Sequence, residues 1–429
     1  MSQPPVVIVG AGLAGLSCAQ GLTSAGLDVV VLESAAHVGG RVSSDLVDGF
    51  VIDRGFQVLN TAYPALGRAV DLKALDLRRL PRGIRVRRGG RLYDVPHPLA
   101  SPTAPFRAAT SGVVGLRDKL ALARYAGGLI ASSPAAVKRR PDVDARAAWS
   151  HAMPEPLVSS VLVPFMAGVV LEPDASVSRV FADLMMRTFA RGVSAVPAAG
   201  MQALPEAMAN RLPPSAVRLG VEVAETHSDG VVLADGTVVD AAAVVVATDP
   251  WAAHRLVPEL GPAPAPRGVT TYYFAAPAGR YDPALAVDAD GSGVVSSVVL
   301  TASAPEYSSD GRALIATSVL HVGGRAVLEA DDAREAAAQL HEVSRQGWET
   351  VAVRDVPEAL PAMTAPHQLR KPVHQSRSGT WVAGDHRDTS SIQGALVSGR
   401  RAAASLLREV GEAGVGDPSV RTVPRHRAS

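Results

Sequence analysis

Three glycines open the chemical reading of the chain. Gly10, Gly12 and Gly15 stand at G-x-G-x-x-G spacing, directly after the apolar run Val6-Val7-Ile8-Val9. Gly10 permits a tight turn. Gly12 carries no side chain, so backbone N–H groups of the turn, through Leu13 and Ala14, can approach an anion. Gly15 lets a helix pack closely on a strand. A second apolar run, Val29-Val30-Val31-Leu32, ends at Glu33 and Ser34. A carboxylate there accepts hydrogens from both hydroxyls of a ribose and disfavours a 2′-phosphate. Residues of these types at this spacing bind the diphosphate and ribose of a dinucleotide. The anion rests at a helix N-terminus, where unpaired N–H groups and the helix dipole favour negative charge.

The elements that must position these groups follow from the same stretch. Val6–Val9 and Val29–Leu32 read as short strands buried on both faces of a parallel sheet. A helix pattern joins them, running to about Ala25 and stopping at Gly26. A third buried strand is expected at Val244–Thr248. Val217–Val223 reads as a strand, and Gly230–Leu233 with Thr237–Val239 as a hairpin around Asp235-Gly236. Residues 106–195 read as mostly helical, with apolar spacing through Leu116, Leu120, Ala123 and Leu129. Val269–Phe274, Gly293–Thr301 and Ala313–Leu320 read as strands, and Asp331–Trp348 as a helix. Arg78, Arg79, Arg82, Arg85, Arg87, Arg88 and Arg91 crowd a segment in which Ile84 and Val86 alternate with Arg85 and Arg87. That pattern favours a solvated hairpin turning at Gly89-Gly90 over a surface for anionic lipid or an acidic partner.

Further motifs select the dinucleotide. Val38-Gly39-Gly40-Arg41 follows Glu33, and then Asp53-Arg54-Gly55-Phe56-Gln57. Near the other end lie Gly384-Asp385, Ser391-Ile392-Gln393-Gly394-Ala395 and Gly399-Arg400-Arg401. As a set these resemble the flavin-dependent amine oxidase superfamily, which includes monoamine oxidases, protoporphyrinogen oxidases and phytoene-desaturase-like proteins. The resemblance covers both ends and one middle segment, about half the chain. It implies FAD, and an α/β fold with a discontinuous Rossmann-like FAD-binding domain (1–80, 200–255 and 365–410). A second, α+β substrate domain (81–199 and 256–364) would complete it. A tail over 411–429 is expected to lack fixed structure. The resemblance also implies roles. Gly40 and Arg41 would meet the pyrophosphate, and Gly55, Phe56 and Gln57 the flavin ring. The Val223 backbone would pair with adenine, and Gly384 and Asp385 would hold ribityl or phosphate-side groups. Ser391, Ile392 and Ala395 would open a helix aimed at the flavin.

Two absences bear on the substrate. Amine oxidases of this superfamily use a lysine on a substrate-domain strand, but this chain has none between Lys138 and Lys371. Their aromatic cage residue is replaced by Ser391. Pro164-Phe165-Met166-Ala167-Gly168 and Gly200-Met201-Gln202 are similar to segments of the phytoene-desaturase-like branch. A lipophilic or medium-sized organic substrate losing a hydride from C–H is therefore expected, with Phe165, Met201 and Tyr273 as candidate contacts. Oxidation of a C–N bond, flavin-dependent isomerisation and lipid carriage are the alternatives. His321, His374 and His386 are candidate acid–base groups, with His386 placed to face the cofactor, and no catalytic residue is assigned. Reoxidation falls to dioxygen, a quinone or a redox partner, because no second G-x-G-x-x-G offers a nicotinamide site.

Composition excludes other classes. Lys+Arg number 42 and Asp+Glu 41, so no global field steers the chain to nucleic acid. The lone Cys18 excludes a disulfide, a cysteine–metal cluster and the cysteine used for covalent flavin, so FAD is expected to bind non-covalently and no metal is expected. The longest apolar stretch, Leu157–Leu171, is broken by Ser159, Ser160 and Pro164, too short to span a bilayer. With no signal-peptide pattern, the cytoplasm is the expected compartment, with peripheral membrane contact left open.

Overall fold

The computed structural model describes residues 4–97, 112, 114–375 and 377–416. Its first sheet is six-stranded, in the order Val217–Leu219, Val29–Glu33, Val6–Val9, Ala243–Val246, Thr380–Val382, His374–Gln375. The first five strands run parallel and the last is antiparallel. Val6–Val9 sits at the centre with every residue buried. That is why it reads as an unbroken apolar run rather than an alternating one. The helix Leu13–Thr23 leaves this strand at the glycine turn. It packs on the last helix, Ile392–Gly416, through small residues. A Cβ on Gly399 would lie 2.1 Å from the Ala14 carbonyl oxygen, and one on Gly21 2.9 Å from the Ala403 Cβ.

The second large sheet is eight-stranded. Its main path is Glu349–Pro361, Pro266–Ala276, Ala313–Val322, Val294–Val299, Leu285–Asp288, Gly83–Arg88, Arg91–Pro96, with Arg325–Ala326 paired to Ala313–Val322. One face is covered by the helix Ala330–His341, whose Ala333, Ala337 and Leu340 join Tyr272, Phe274 and Ile315 in a buried cluster. Helices drawn from 116–191 pack around Trp149, Phe181 and Met166, in a cluster that also takes in Val86 and Val287 of the second sheet. The fold is thus α/β with a Rossmann-like sheet and a second α+β region. The arginine-rich hairpin forms as read, with Gly89 and Gly90 at positive φ of 59° and 70°. It is an integral part of the second sheet, pairing in parallel with Leu285–Asp288.

Several expectations need correction. Val217–Val223 is two strands in two sheets, because Gly220 turns at φ 70°. The helix expected over Asp331–Trp348 ends at His341, where Glu342 enters the left-handed region at φ 53°. The strand Glu349–Pro361 was not anticipated. It is an edge strand containing Pro357, and a proline blurs a strand pattern while being tolerated at a sheet edge. The last helix continues through Gly416, into the stretch expected to lack structure, while 417–429 lie outside the described residues. Ser194–Pro197, expected in the 81–199 segment, pairs instead with Leu59–Asn60 and Leu77–Arg79.

Candidate active site

A cavity of about 1710 Å³ runs from the glycine turn, past the edge of the second sheet, to the helices of 116–191. At the turn, the glycines are required for different reasons. Gly10 has φ 101°, and a Cβ there would lie 2.9 Å from the Ala247 carbonyl oxygen. A Cβ on Gly15 would lie 2.0 Å from the Gly10 oxygen. Gly15 therefore serves packing, and it does not line the cavity. Gly12 and Gly40 face open space: the nearest atom to a Cβ is 4.0 Å away at Gly12 and 3.8 Å at Gly40. Gly10, Gly12, Leu13 and Ala14 all line the cavity. Glu33 is buried at its edge. One carboxylate oxygen accepts from Ala11 N–H at 2.7 Å and the other from Ala35 N–H at 2.9 Å. Each oxygen keeps further acceptor capacity, and Ser34 lines the wall beside it.

Gly39 N–H donates to the Ala11 oxygen at 2.9 Å, which ties the Gly39-Gly40-Arg41 loop to the turn. Arg41 pairs with Asp385 at 2.6 Å and donates to the Ala359 oxygen at 2.9 Å. It thereby joins three distant segments in one wall. Gly384 has φ 154°, and Asp385 follows it into a short 3-10 turn. Ser391 Oγ accepts from Gly394 N–H at 3.1 Å and opens the last helix. Gly384, Asp385, Ser391, Ile392 and Ala395 line the cavity, as do Gly55, Phe56, Gln57 and Val223. Ser390 lines it too, and its buried hydroxyl has no partner. An unfilled glycine cradle and an orphaned buried hydroxyl fit a wall shaped for a polar ligand.

Two expected substrate contacts lie elsewhere. Tyr273 is fully buried and its hydroxyl donates to the Asp53 carbonyl oxygen at 3.0 Å. Met201 is fully buried and its N–H donates to the Asp53 carboxylate at 2.9 Å. Neither lines the cavity; both support the Asp53–Gly55 loop from below. Asp53 also accepts from Ser44 at 2.6 Å and Tyr307 at 3.0 Å. Burial pushes its carboxyl up to about 6, against the pull of those hydrogen bonds. The alternation of the Pro266–Ala276 strand instead presents Val269 and Thr271 to the cavity. Thr271 Oγ1 lies 3.2 Å from Ser318 Oγ and 3.4 Å from Phe56 N.

Phe165 does line the cavity, edge-on to Phe189 at 5.2 Å. Its helix, Val163–Val170, follows a π-helical turn at Val158–Leu162, an irregularity frequent at functional sites. The candidate histidines do not reach the cavity wall. His386 is packed beneath Gly384, with burial and then Arg387 holding its ring well below the ordinary range. The reason is the positive φ at Gly384, which turns the chain over the ring. His321 is held by Asp355 and Thr270, and His374 stacks on Trp381 at 4.6 Å. Residues that the sequence reading did not place at a substrate site line the lobe instead: Arg82, His97, Lys119, Thr271, Ser296 and Ser318. Only Arg82 carried a signal, as part of the arginine run.

Residues 13–407 match the family described as flavin containing amine oxidoreductase. Protoporphyrinogen oxidase 2, chloroplastic/mitochondrial, of Arabidopsis thaliana is 33% identical over 117 residues, covering 27% of this chain and 22% of the relative. Putrescine oxidase of Kocuria rosea is 40% identical over 91 residues, covering 21% and 18%. The chain thus spans about a fifth of the length of these curated relatives. An oxidoreductase from Methanosarcina mazei superposes with a TM-score of 0.72 at 15% identity, covering 94% of this chain and 100% of that one. The likeness is one of fold.

Proposed function

Because the chain belongs to the flavin containing amine oxidoreductase family, we propose that it is an FAD-dependent oxidoreductase. In this reading it takes a hydride from a C–H bond of a lipophilic or medium-sized organic substrate and holds FAD non-covalently. The observation that carries the reading is the continuity of the cavity. It joins the glycine crevice to an apolar lobe, and its 1710 Å³ exceeds the ~300–1,000 Å³ of an ordinary one-ligand pocket. The space suits a dinucleotide and a second molecule together.

The residues present fit FAD. N–H groups at Gly12, Leu13 and Ala14 would meet the diphosphate, and Arg41, already fixed by Asp385, would set a cation beside it. Glu33 and Ser34 would take the ribose hydroxyls, and the Val223 backbone the adenine. Asp385, Ser390 and the N–H groups at the start of the Ile392 helix would hold the ribityl chain and the ring, with Ala395 beside them. When bound, the flavin supplies the hydride acceptor. Cys18 is no candidate for a covalent link, since burial pushes its thiol up to about 12 and it lies in the helix packing, not on the cavity wall.

The remaining work belongs to the lobe. Phe165, Phe189 and Met186 would exclude water and press a C–H bond toward the Gly55-Phe56 edge. Thr271 and Ser318 are neutral hydroxyls, so they offer hydrogen bonds without a formal charge. This supports C–C over C–N oxidation: the strand that would carry an amine oxidase lysine presents Thr271. Amine oxidation is the second reading, favoured by the similarity to putrescine oxidase. Dioxygen, a quinone or a partner protein would reoxidise the flavin. Anaerobic bleaching of the flavin by panels of amines, porphyrinogens and polyenes separates the readings. Bleaching by polyenes or porphyrinogens supports the first, and rapid bleaching by amines alone replaces it with the second. A colourless protein that FAD cannot reconstitute refutes both.

A further inference from the structure

Three hydroxyls stand in a row on the cavity face of the second sheet. Thr271 pairs with Ser318 across one strand boundary, and Ser318 with Ser296 across the next. Cross-strand partners share a face, and all three residues line the cavity. The row begins beside the Gly55-Phe56 loop, where Phe56 N–H donates to Thr271 Oγ1 at 3.4 Å. It ends against the helix Val163–Val170, at Gly168. A Cβ on Gly168 would lie 3.8 Å from Ser296 Oγ, so the glycine leaves a methyl group's room beside that hydroxyl. No member of the row is charged. Asp355 also lines the cavity, but its Oδ1 is engaged elsewhere, accepting from Thr270 Oγ1 at 2.6 Å and lying 2.9 Å from His321 Nε2.

The hydrogen bonds of the row run in one direction. Thr271 is 0% exposed, so its hydroxyl hydrogen needs an acceptor inside the protein. Ser318 Oγ, 3.2 Å away, is the acceptor it has. Thr271 therefore donates to Ser318, and the Ser318 hydrogen is left without an acceptor in the row. Ser296 is 5% exposed, and its hydroxyl has no hydrogen-bond partner among the described residues. A buried hydroxyl without a partner is uncommon unless water or a ligand satisfies it. Two O–H donors on adjacent strands thus turn to the cavity, and no acceptor of the chain takes them. Donation from Phe56 through Thr271 polarises the Ser318 hydroxyl and strengthens the bond it can give.

We propose that Ser318 and Ser296 form a subsite for an uncharged acceptor oxygen, a carbonyl carried by a lipophilic substrate. The carbonyl oxygen receives both O–H groups, and the apolar body lies along Phe165 and Phe189, which line the same cavity. A neutral group suits the row because the row holds no charge to balance an ammonium or a carboxylate taken out of water. The inference rests on the oxidoreductase reading for its purpose and names what that substrate carries, while the binding itself does not depend on flavin.

The test uses the full chain and four probes sharing a diphenyl body: benzophenone, diphenylmethane, benzhydrylamine and diphenylacetate. Binding is measured by calorimetry. Benzophenone is expected to bind roughly tenfold more tightly than diphenylmethane, a preference of the size that one or two net hydrogen bonds supply, although transfer out of water alone favours the hydrocarbon. In Ser296→Ala that preference should fall roughly fivefold. Diphenylmethane binding and Tm should stay as they were, because the hydroxyl supports nothing inside the protein. Ser318→Ala should also lose the preference, at a lower Tm, since Thr271 is left without an acceptor. In infrared difference spectra the carbonyl stretch of bound benzophenone should lie below its position in an alkane solvent, and should rise in Ser296→Ala. Diphenylmethane binding as tightly as benzophenone, a preference that survives Ser296→Ala, or tighter binding of the amine or the carboxylate would overturn the proposal. If the variants do not fold, the carbonyl stretch on the unaltered chain decides the matter, and a stretch at its alkane position sinks the subsite. Should the protein take up no flavin, the calorimetric order still judges this inference, and only the oxidoreductase reading is lost.

Discussion

The two ends of the cavity are built on different physical rules. The glycine crevice is made of backbone. Its shape depends on positive φ angles, on absent side chains and on fixed pairs such as Arg41 with Asp385. The lobe is made of side chains. Phe165, Phe189, Met185 and Met186 shape it by volume, and volume is more readily exchanged than backbone geometry. Damage to the crevice should therefore remove the cofactor, whereas damage to the lobe should change what is oxidised and leave the cofactor in place.

The sharpest way to break that contrast is Gly15→Ala. The new Cβ would lie 2.0 Å from the Gly10 oxygen, so the helix must leave the strand, at a cost of about 4 kcal/mol or more. The expected result is a colourless protein with a much lower Tm. A yellow variant of ordinary stability would remove the basis for separating the two ends. Next comes Asp53, beneath the crevice. Its carboxyl is raised to about 6 from 3.8, so the folded state binds the proton more tightly than the unfolded chain. Its contribution is present below about pH 4 and is lost as pH rises through about 6, amounting to roughly 3 kcal/mol. His341 and His367 oppose it, since burial lowers both to about 4 and stability falls as pH drops from the ordinary histidine range. The measurement is therefore the difference in Tm between Asp53→Asn and the unaltered chain across pH 4 to 7. A difference that does not change with pH would refute the assignment.

Glu33→Gln should weaken FAD retention by about 1.5–3 kcal/mol, the size of a charge-assisted hydrogen bond; unchanged affinity in a titration would take the ribose contact away from Glu33. Phe165→Leu should leave the ratio of flavin to protein unchanged and alter discrimination between substrates by about 1–3 kcal/mol. Loss of flavin in that variant would mean that the lobe and crevice are one unit. The smallest effect belongs to Leu120→Gln. Leu120 is 63% exposed, so stability should move by no more than about 0.5 kcal/mol in thermal unfolding.

How legible each part was follows from the same contrast. Gly10, Gly12, Glu33, Arg41, Gly55 and Asp385 stand out in the sequence because each belongs to a motif position that few residue types suit, and all of them line the cavity. Met201 and Tyr273 misled because a motif residue can serve the underside of a loop as well as its face. Tyr273 shares a strand with Thr271, and only the position of Asp53 above it shows that its ring is sealed off. Leu116 and Leu120 carry helical spacing yet stand exposed at 64% and 63%, because the helix Leu116–Ala131 turns Leu129 and not these leucines to the core. Arg82 was hidden among neighbours that are structural, such as Arg85, which lies near Asp94, Asp282 and Glu342.

The sequence alone determined the glycine turn and the parallel strands around it, because those depend on local backbone freedom and on short-range periodicity, and its motifs pointed to the flavin family. The tertiary structure decided which side chains face the far lobe of the cavity. That face is assembled from segments far apart in the chain, such as Arg82, Phe165, Thr271 and Ser318. Their convergence depends on strand pairing and helix packing, which leave no mark in the spacing of neighbouring residues.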